Sequence, residues 1–446
     1  MRSKLQTFYA TLGFIPKKVF YWPGYLLFFS MLFVPTVYQT PRGILLMLVV
    51  GSILVASFLN GYLRLHYTVL LWVLFMVSMG LFFMLRGLFN GAPGALRFST
   101  VYVIWPLVYA LLVAGAARQA VVDAIFRTII VASIAIGAYG LVYILYSAGW
   151  WPAALYIPID QGQMIGFYNG YIRINLHFLS SLLFLVPFLM ASLMCWQKEY
   201  GLPVPSHCLW VALIVCLMLA LLSGRRMIWL TTALSPLVAF CLIVFFPGAM
   251  RRSAMRKTIG VFLSSGILIV AISVFLSYVY GFSWDKLADS FLKGFDWSID
   301  KSAVIRSQQF FALLKGWAAS PWLGSGTGAV VQGCVRSDTQ PWAYELYYLS
   351  LLFHVGIIGF ILYSYGVIWI YWMGIRIIRS GHRLSLYMFP VLVGTTCFLI
   401  GSATNPYLPK FDSMWVIFLP VTVINLWLLD TSKSQRNIEG CNQTDS

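Results

Sequence analysis

The sequence predicts an all-α polytopic membrane protein with about twelve transmembrane helices. Of its 446 residues, 60% are hydrophobic and only 10% are charged, whereas about a quarter of the residues in a soluble domain are charged. Apolar runs cover most of the chain, and most have the ~17 to 25 residues that cross the hydrocarbon core of a bilayer. These runs are 20–38, 43–60, 67–85, 99–115, 127–148, 174–196, 207–222, 227–247, 258–280, 346–373, 386–403 and 413–429. A soluble globular protein is therefore excluded.

The positive charges predict how the helices are oriented. Four basic residues precede the first apolar run and no small-residue cleavage site follows it, so this run is predicted to be a retained helix with a cytoplasmic N-terminus. Twelve crossings then place the C-terminus in the cytoplasm as well. The short loops on that side carry the positive charges that the positive-inside rule requires: Arg251, Arg252, Arg256 and Lys257 in one, and Arg376, Arg379 and Arg383 in another. The sequence thus predicts an inner-membrane protein.

Two longer loops interrupt the crossings on the predicted periplasmic side. Residues 282–342 form a long loop of mixed polarity, and its apolar residues recur at helical spacing from Val304 to Leu314. This pattern predicts short helices that lie on the membrane. The loop at 149–173 is rich in tryptophan and tyrosine, which favour the headgroup level. Together the two loops are predicted to cover a cavity that faces the periplasm.

Other features of the composition indicate which kinds of partner the protein binds. Residues 1–446 show neither an internal repeat nor a soluble domain, so we predict a single membrane domain with a disordered cytoplasmic tail at 431–446. The net charge is +17, but the positive residues are scattered over loops on both faces. Without a basic stripe, this pattern argues against nucleic acid and favours membrane lipids with anionic headgroups. The seven cysteines have no paired spacing, which predicts neither a disulfide framework nor a zinc site.

Two adjacent arginines lie in a very short loop on the predicted periplasmic side. Such loops usually avoid arginine, so Arg225 and Arg226, in the turn that begins at Ser223, require an explanation. Paired guanidiniums at the membrane surface can clamp phosphate or diphosphate oxygens, although they can also snorkel to lipid phosphates. Arg173, at the mouth of the sixth run, has the same two interpretations.

The long loop and the run that follows it hold further candidates. Arg306 opens a helical segment, and a glycine-rich turn follows at 320–328. Such a turn can present backbone N–H groups to an anion, but this one lacks the Gly-Lys-Ser/Thr ending of a nucleotide-binding loop. Glu345 lies where the loop meets the tenth run, and its carboxylate is predicted at the membrane interface. There it can act as a general base or as a favourable charge at a helix N-terminus.

His354 is the alternative base. It lies nine residues after Glu345, which in an ideal helix places it about 13 Å deeper and near the opposite face. An intramembrane histidine is a candidate for function, but a hydrogen bond to a neighbouring helix explains it equally well. We therefore prefer Glu345. The outer side offers no acidic cluster for a hard metal ion, so no metal and no other cofactor is predicted.

At these residues the chain resembles the O-antigen ligase family of membrane glycosyltransferases, which is similar to O-antigen polymerases and to bacterial O-oligosaccharyltransferases. SGRRMIWL at 223–230 resembles the short periplasmic motif of the family and aligns Arg226 with the family arginine. Arg306, followed by SPWLGSGTG at 320–328, matches the arginine-led helix and glycine turn of the long periplasmic loop. ELYYLSLLFHVGIIG at 345–359 resembles the next helix of the family, with its Gly-x-x-Gly.

The alignment departs from the family pattern at named positions. Glu345 stands where the family usually has an essential histidine, and His354 falls where it often has an acidic residue. Arg225 replaces the serine of the first motif. Because a carboxylate can take a proton from a sugar hydroxyl as an imidazole can, Glu345 remains the predicted base, and nearby Tyr348 is predicted to contact the substrate.

The resemblance implies a GT-C-like fold and a specific reaction. O-antigen polysaccharide would move from undecaprenyl diphosphate, the donor, to the lipid A-core oligosaccharide, the acceptor, at the periplasmic face without a metal ion. Arg225, Arg226 and Arg306 would stabilise the charge that develops on the diphosphate, with Arg173 as a further binding residue. Glu345 would activate the acceptor hydroxyl for a single inverting displacement.

Two alternatives stay open at this point. An O-antigen polymerase or a protein O-oligosaccharyltransferase uses the same kind of donor but a different acceptor. A transporter or flippase for a lipid-linked sugar would bind the headgroup without breaking a bond; such proteins often show repeats and charged residues at the membrane midplane.

Overall fold

The computed structural model describes residues 22–60, 63–159, 164–168, 171–197, 202–280, 285, 301–334, 338 and 340–444. These residues form long helices and one β-hairpin. In chain order the elements are α1 (Trp22–Phe33), α2 (Gln39–Asn60), α3 (Tyr67–Phe89), α4 (Ala95–Gly115), α5 (Gln119–Ser147), β1 (Met164–Tyr168), β2 (Tyr171–Asn175), α6 (His177–Cys195), α7 (Ser206–Leu222), α8 (Arg226–Ile243), α9 (Gly248–Tyr280), α10 (Lys301–Ala318), α11 (Tyr347–Ser380), α12 (Ser385–Ser402) and α13 (Phe411–Thr444).

The helices confirm an all-α multi-pass membrane protein. Among the described residues, ten helices are long and apolar enough to cross a membrane, and α1 and α7 are shorter apolar helices. Each predicted apolar run overlaps one of these helices, and the number of crossings beyond these ten stays a prediction. The described part of the 282–342 loop contains α10, which packs against α11. The tail that was predicted to be disordered instead continues α13 to Thr444, because a nucleated helix extends residue by residue at little cost.

The loops gather at two ends of the helix bundle. We call the end with the loops predicted to be periplasmic the upper end. There the Thr36 N–H donates to Asp412 Oδ2 at 2.9 Å and joins the α1–α2 loop to the start of α13. At the lower end, Tyr387 Oη donates to Asp123 Oδ1 at 2.6 Å and joins the starts of α12 and α5. These contacts fit helices that cross in alternating directions.

Helix α6 lies at the centre of the bundle and is buried from Phe178 to Cys195 between α7, α8, α9 and α12. The apolar character of α6 does not explain why it is central, because lipid is as apolar as a protein core. Close packing at small residues does explain it. At Gly394 of α12, an added Cβ would lie 2.7 Å from the Phe184 ring of α6. Gly51 of α2 and Gly260 of α9 face open space, and these two helices lie at the edge with large apolar side chains exposed.

Helix α11 is not straight. Tyr371 lies 23 residues after Tyr348, which in a straight helix corresponds to about 34 Å. Yet both side chains reach the same stretch of α12: Tyr348 Oη donates to the Leu399 carbonyl at 2.7 Å, and Tyr371 Oη lies 2.6 Å from Thr396 Oγ1. The helix therefore folds back at Gly356, whose φ of 66° and ψ of −174° are accessible essentially to glycine alone.

The fold-back divides α11 into a short arm, residues 347–355, and a long arm, residues 357–380. The long arm has enough residues to cross the bilayer by itself. Its upper part packs on α3, where a Cβ on Gly359 would lie 2.5 Å from the Phe83 ring. In chain order, the short arm thus runs from the level of Leu399 in α12 up to the upper end of α3.

A loop at 320–328, which we call the glycine clasp, holds the fold-back in place. A break in a helix frees backbone groups that must find other partners. Four hydrogen bonds with N···O distances of 2.9 to 3.0 Å supply them, from Ser325 and Gly326 to the carbonyls of Phe353 and His354, and from Ile357 and Ile358 to the carbonyls of Pro321 and Trp322. A Cβ on Gly324 would lie 2.4 Å from the His354 carbonyl oxygen, so the clasp requires glycine there.

Candidate functional site

Glu345 precedes the short arm of α11 and is held by α10. Arg306 Nε donates to Glu345 Oε2 at 2.7 Å, and the exposed fractions of the two side chains are 33% and 12%. Gln309 is buried, and its Oε1 accepts a hydrogen bond from the Glu345 N–H at 3.0 Å. Because Arg306 and Gln309 are three residues apart on one helix face, α10 holds residue 345 by its carboxylate and by its main chain.

Glu345 lies deeper in the bundle than His354. The short arm rises from Glu345, past the contact of Tyr348 with Leu399, to the fold-back at Gly356. The expectation that His354 lies deeper than Glu345 is wrong in its direction, because the fold-back at Gly356 makes the short arm run opposite to the long arm.

His354 is surrounded by protein groups beside the glycine clasp. Its side chain is buried, and Nε2 lies 3.1 Å from the carbonyl oxygen of Ala329, to which an Nε2–H can donate. The Phe98 ring meets the imidazole edge-on at 5.3 Å. These contacts explain His354 as a packed, hydrogen-bonded residue. Whether it takes part in chemistry stays a prediction.

Arg225 is fixed by two polar side chains at the upper end. Its Nη2 donates to Asn175 Oδ1 at 2.8 Å, and its Nη1 donates to Tyr407 Oη at 3.3 Å. The Arg225 N–H donates to Ser223 Oγ at 3.2 Å, which shapes the turn between α7 and α8. The guanidinium thus joins the end of β2 to the loop between α12 and α13, and neither partner carries a negative charge that would neutralise it.

The other two predicted arginines flank this cluster in the sequence. Arg226 is the first residue of α8 and is partly buried, with contacts of its own. Arg173 pairs with Gly166 across the β-hairpin, two residues before Asn175; its side chain lies outside the part of the chain that the structure describes. The hairpin therefore places the Arg173 backbone close to the Asn175–Arg225 contact.

A partner of Arg225 and a residue close to Glu345 in sequence contact adjacent residues of α12. The ring of Tyr407, the partner of Arg225, lies 6.0 Å from the ring of Phe398. The next residue of α12, Leu399, accepts the hydrogen bond from Tyr348, three residues after Glu345. We call the region defined by Arg225, Arg226, Arg306, Glu345 and Tyr348 the α12 site.

Four consecutive N–H groups of the glycine clasp are bound to protein carbonyls rather than directed at an anion site. The N–H groups of residues 324–327 donate to the carbonyls of Ser320, Phe353, His354 and Phe83. The clasp is therefore a structural element of the fold-back, and its glycines allow three backbone segments to approach one another.

The neighbourhood of Glu345 contains buried neutral groups. Tyr344 is buried, its Oη accepts a hydrogen bond from the Val331 N–H at 2.7 Å, and burial raises the pKa of its hydroxyl. Burial likewise raises the pKa of the Cys334 thiol in the same loop. Among the residues that the structure describes, no three His, Cys, Asp or Glu side chains are grouped as metal ligands would be.

Four residues around the site were not predicted. Asn175 and Tyr407 bind Arg225, Gln309 binds Glu345, and Arg86 of α3 donates from Nε to the Gly324 carbonyl at 2.8 Å, which ties the glycine clasp to α3. The helical spacing of Gln309 from Arg306 was a usable signal. The partners of Arg225 come from distant loops, and no local pattern points to them.

No protein-family model matches the chain, and no curated protein sequence is similar to it.

Proposed function

We propose that this chain is an O-antigen ligase: it transfers O-antigen polysaccharide from undecaprenyl diphosphate to a hydroxyl of the lipid A-core oligosaccharide. The reaction would take place at the periplasmic face of the inner membrane, with both termini in the cytoplasm. The observation that carries the proposal is the α12 site, where Tyr407, the partner of Arg225, and Tyr348, three residues after the Arg306-bound Glu345, contact adjacent residues of α12.

The arginines fit a diphosphate leaving group. As the bond between the anomeric carbon and the diphosphate oxygen breaks, its electron pair goes to the diphosphate, which gains negative charge. Preorganised guanidiniums stabilise such charge without reorganisation, and Arg225 is preorganised by Asn175 and Tyr407. Arg226 and Arg306 are assigned to the same role, and Arg173 to binding of the donor.

Glu345 fits a general base at the acceptor. The acceptor hydroxyl loses its proton to the carboxylate while its oxygen forms the new bond to the anomeric carbon, so the configuration inverts in one displacement. Tyr348, three residues after Glu345, donates to the Leu399 carbonyl of α12 and is assigned to substrate contact. The depth of Glu345 suits a substrate whose lipid tail remains in the bilayer.

The experiment is reconstituted transfer in proteoliposomes. Purified protein is mixed with an undecaprenyl-diphosphate glycan and rough lipopolysaccharide, and the product is detected by the gel shift of the acceptor. We expect wild type to lengthen the acceptor and Glu345→Gln and Arg306→Ala to fail while they remain folded. The control is Lys315→Ala, an exposed residue of α10, which should retain activity.

The same assay separates the alternatives. Growth of the lipid-linked glycan itself would indicate a polymerase, and transfer to a protein would indicate an O-oligosaccharyltransferase. Movement of the donor across the bilayer without bond cleavage would indicate a flippase. Any of these three results without transfer to lipopolysaccharide would overturn the ligase assignment.

A further inference from the structure

Glu345 and Arg306 neutralise each other in the structure, although the proposed chemistry needs both. The ion pair of 2.7 Å engages a guanidinium that is needed for the diphosphate. It also engages a carboxylate that must accept a proton, and a carboxylate held by a guanidinium gives up that interaction when it is protonated. The pair must therefore open during each reaction cycle.

The exposure of the two side chains indicates which partner is reached first. Arg306 keeps 33% of its side chain exposed, whereas Glu345 keeps 12%. We infer that an incoming anion meets the more exposed Arg306 side chain before an acceptor hydroxyl meets Glu345. A diphosphate carries more charge than a carboxylate and binds arginine in a bidentate manner, so it can replace Glu345 as the partner of Arg306.

Gln309 allows the exchange to occur without movement of the main chain. Its buried Oε1 holds the Glu345 N–H at 3.0 Å, and this bond does not depend on the carboxylate. When Arg306 turns to another anion, residue 345 stays where α10 and the short arm place it. Only side-chain torsions of Glu345 and Arg306 need to change.

We propose that the Arg306–Glu345 ion pair is a latch that a polyprenyl diphosphate opens. The diphosphate takes Arg306 from Glu345, and the released carboxylate becomes the proton acceptor for the second substrate. The latch rests on the proposed function and adds an order to it: the donor must bind before the acceptor can be activated. A histidine at position 345 would be unable to form such an ion pair.

The test is attenuated-total-reflection infrared difference spectroscopy on the full chain in lipid, with and without undecaprenyl diphosphate that carries no glycan. We expect the ligand to shift a carboxylate band that is absent from Glu345→Gln. In Arg306→Ala the Glu345 band should already lie, without ligand, at the frequency that the wild-type band reaches after ligand is added. Undecaprenyl diphosphate should not shift it further. Lys315→Ala should behave as wild type, and undecaprenyl monophosphate should give a smaller shift.

The outcomes distinguish the latch from the proposed function. A Glu345 band that is unchanged by undecaprenyl diphosphate overturns the latch, even if glycan transfer is observed in proteoliposomes. A shifted band together with an absence of transfer supports the exchange of partners and contradicts the ligase assignment.

Discussion

The two ends of the short arm of α11 contain the two candidate bases, and their surroundings differ. At the deep end, Glu345 meets charged and polar groups of α10, and Tyr348, three residues later, contacts α12 next to the residue that Tyr407 approaches. At the end near the fold-back, His354 meets aromatic rings and one backbone carbonyl. The difference shows that the direction of the arm, rather than residue type alone, decides which base is near the arginines.

The largest effect is expected when each candidate base is removed in turn. Glu345→Gln should lower the transfer rate by about 10² to 10⁴, the usual contribution of general acid–base catalysis. His354→Gln keeps a donor for the Ala329 carbonyl and should leave the rate close to wild type. Both rates are measured by acceptor gel shift. A larger loss in His354→Gln would assign the base to the fold-back end.

Removal of the second arginine cluster tests whether both clusters serve one reaction. Arg225→Ala should lower the rate by about 10² to 10³, because one preorganised donor to the developing charge is lost. Arg97→Ala, an exposed arginine at the start of α4, is the control and should retain activity. If the Arg225 variant transfers glycan normally, the Arg225 cluster does not act on the diphosphate.

The fold-back itself can be weakened at the glycine clasp. Gly324 and Gly333 both have positive φ, of 64° and 79°, but a Cβ would collide with the His354 carbonyl only at Gly324, and nothing lies within 4 Å at Gly333. Gly324→Ala should therefore lower the melting temperature in detergent much more than Gly333→Ala, which adds only backbone strain of about 1 to 3 kcal/mol. Equal shifts would mean that the clasp does not hold the fold-back.

A smaller effect is expected when the hydrogen bond from the Glu345 N–H to Gln309 is removed. Gln309→Met removes the acceptor of the Glu345 N–H, and the loss of one hydrogen bond of about 0.5 to 1.5 kcal/mol should lower kcat roughly three- to tenfold. KM for the donor should stay unchanged, because Arg225 and Arg306 remain. A rise in KM without a fall in kcat would assign Gln309 to donor binding.

The smallest expected effect is that of a chelator. The ligase assignment uses arginines for charge stabilisation, so transfer in proteoliposomes should continue after treatment with EDTA. A loss of activity that magnesium restores would contradict this prediction.

The helices of this protein could be predicted from hydropathy, since each apolar run overlaps one helix. The fold-back could not, because the residues on both sides of Gly356 are apolar and continue the same run. Its cause is the clasp, a loop that precedes α11 and binds the break from outside. The glycines were visible in the sequence, but their pairing with Gly356 is a long-range contact that a single sequence does not encode locally.

The candidate site was predicted in part. The ion pair between Arg306 and Glu345 joins two residues that were selected separately, each for its own chemistry. Their depth was not predictable, since it depends on the fold-back. Arg225 was selected from a charge in an unexpected loop, whereas its partners Asn175 and Tyr407 are uncharged residues of other loops and carry no signal of their own.

The most direct test of the account is the distance between the arms of α11. Spin labels at cysteines placed at Leu349 and Trp372, in a background without the native cysteines, report it by pulsed electron spin resonance in lipid. The fold-back predicts a distance far below the about 34 Å of a straight helix over that separation. A distance near 34 Å would contradict the fold-back and would remove the contact of Tyr348 with Leu399 that brings the short arm to α12.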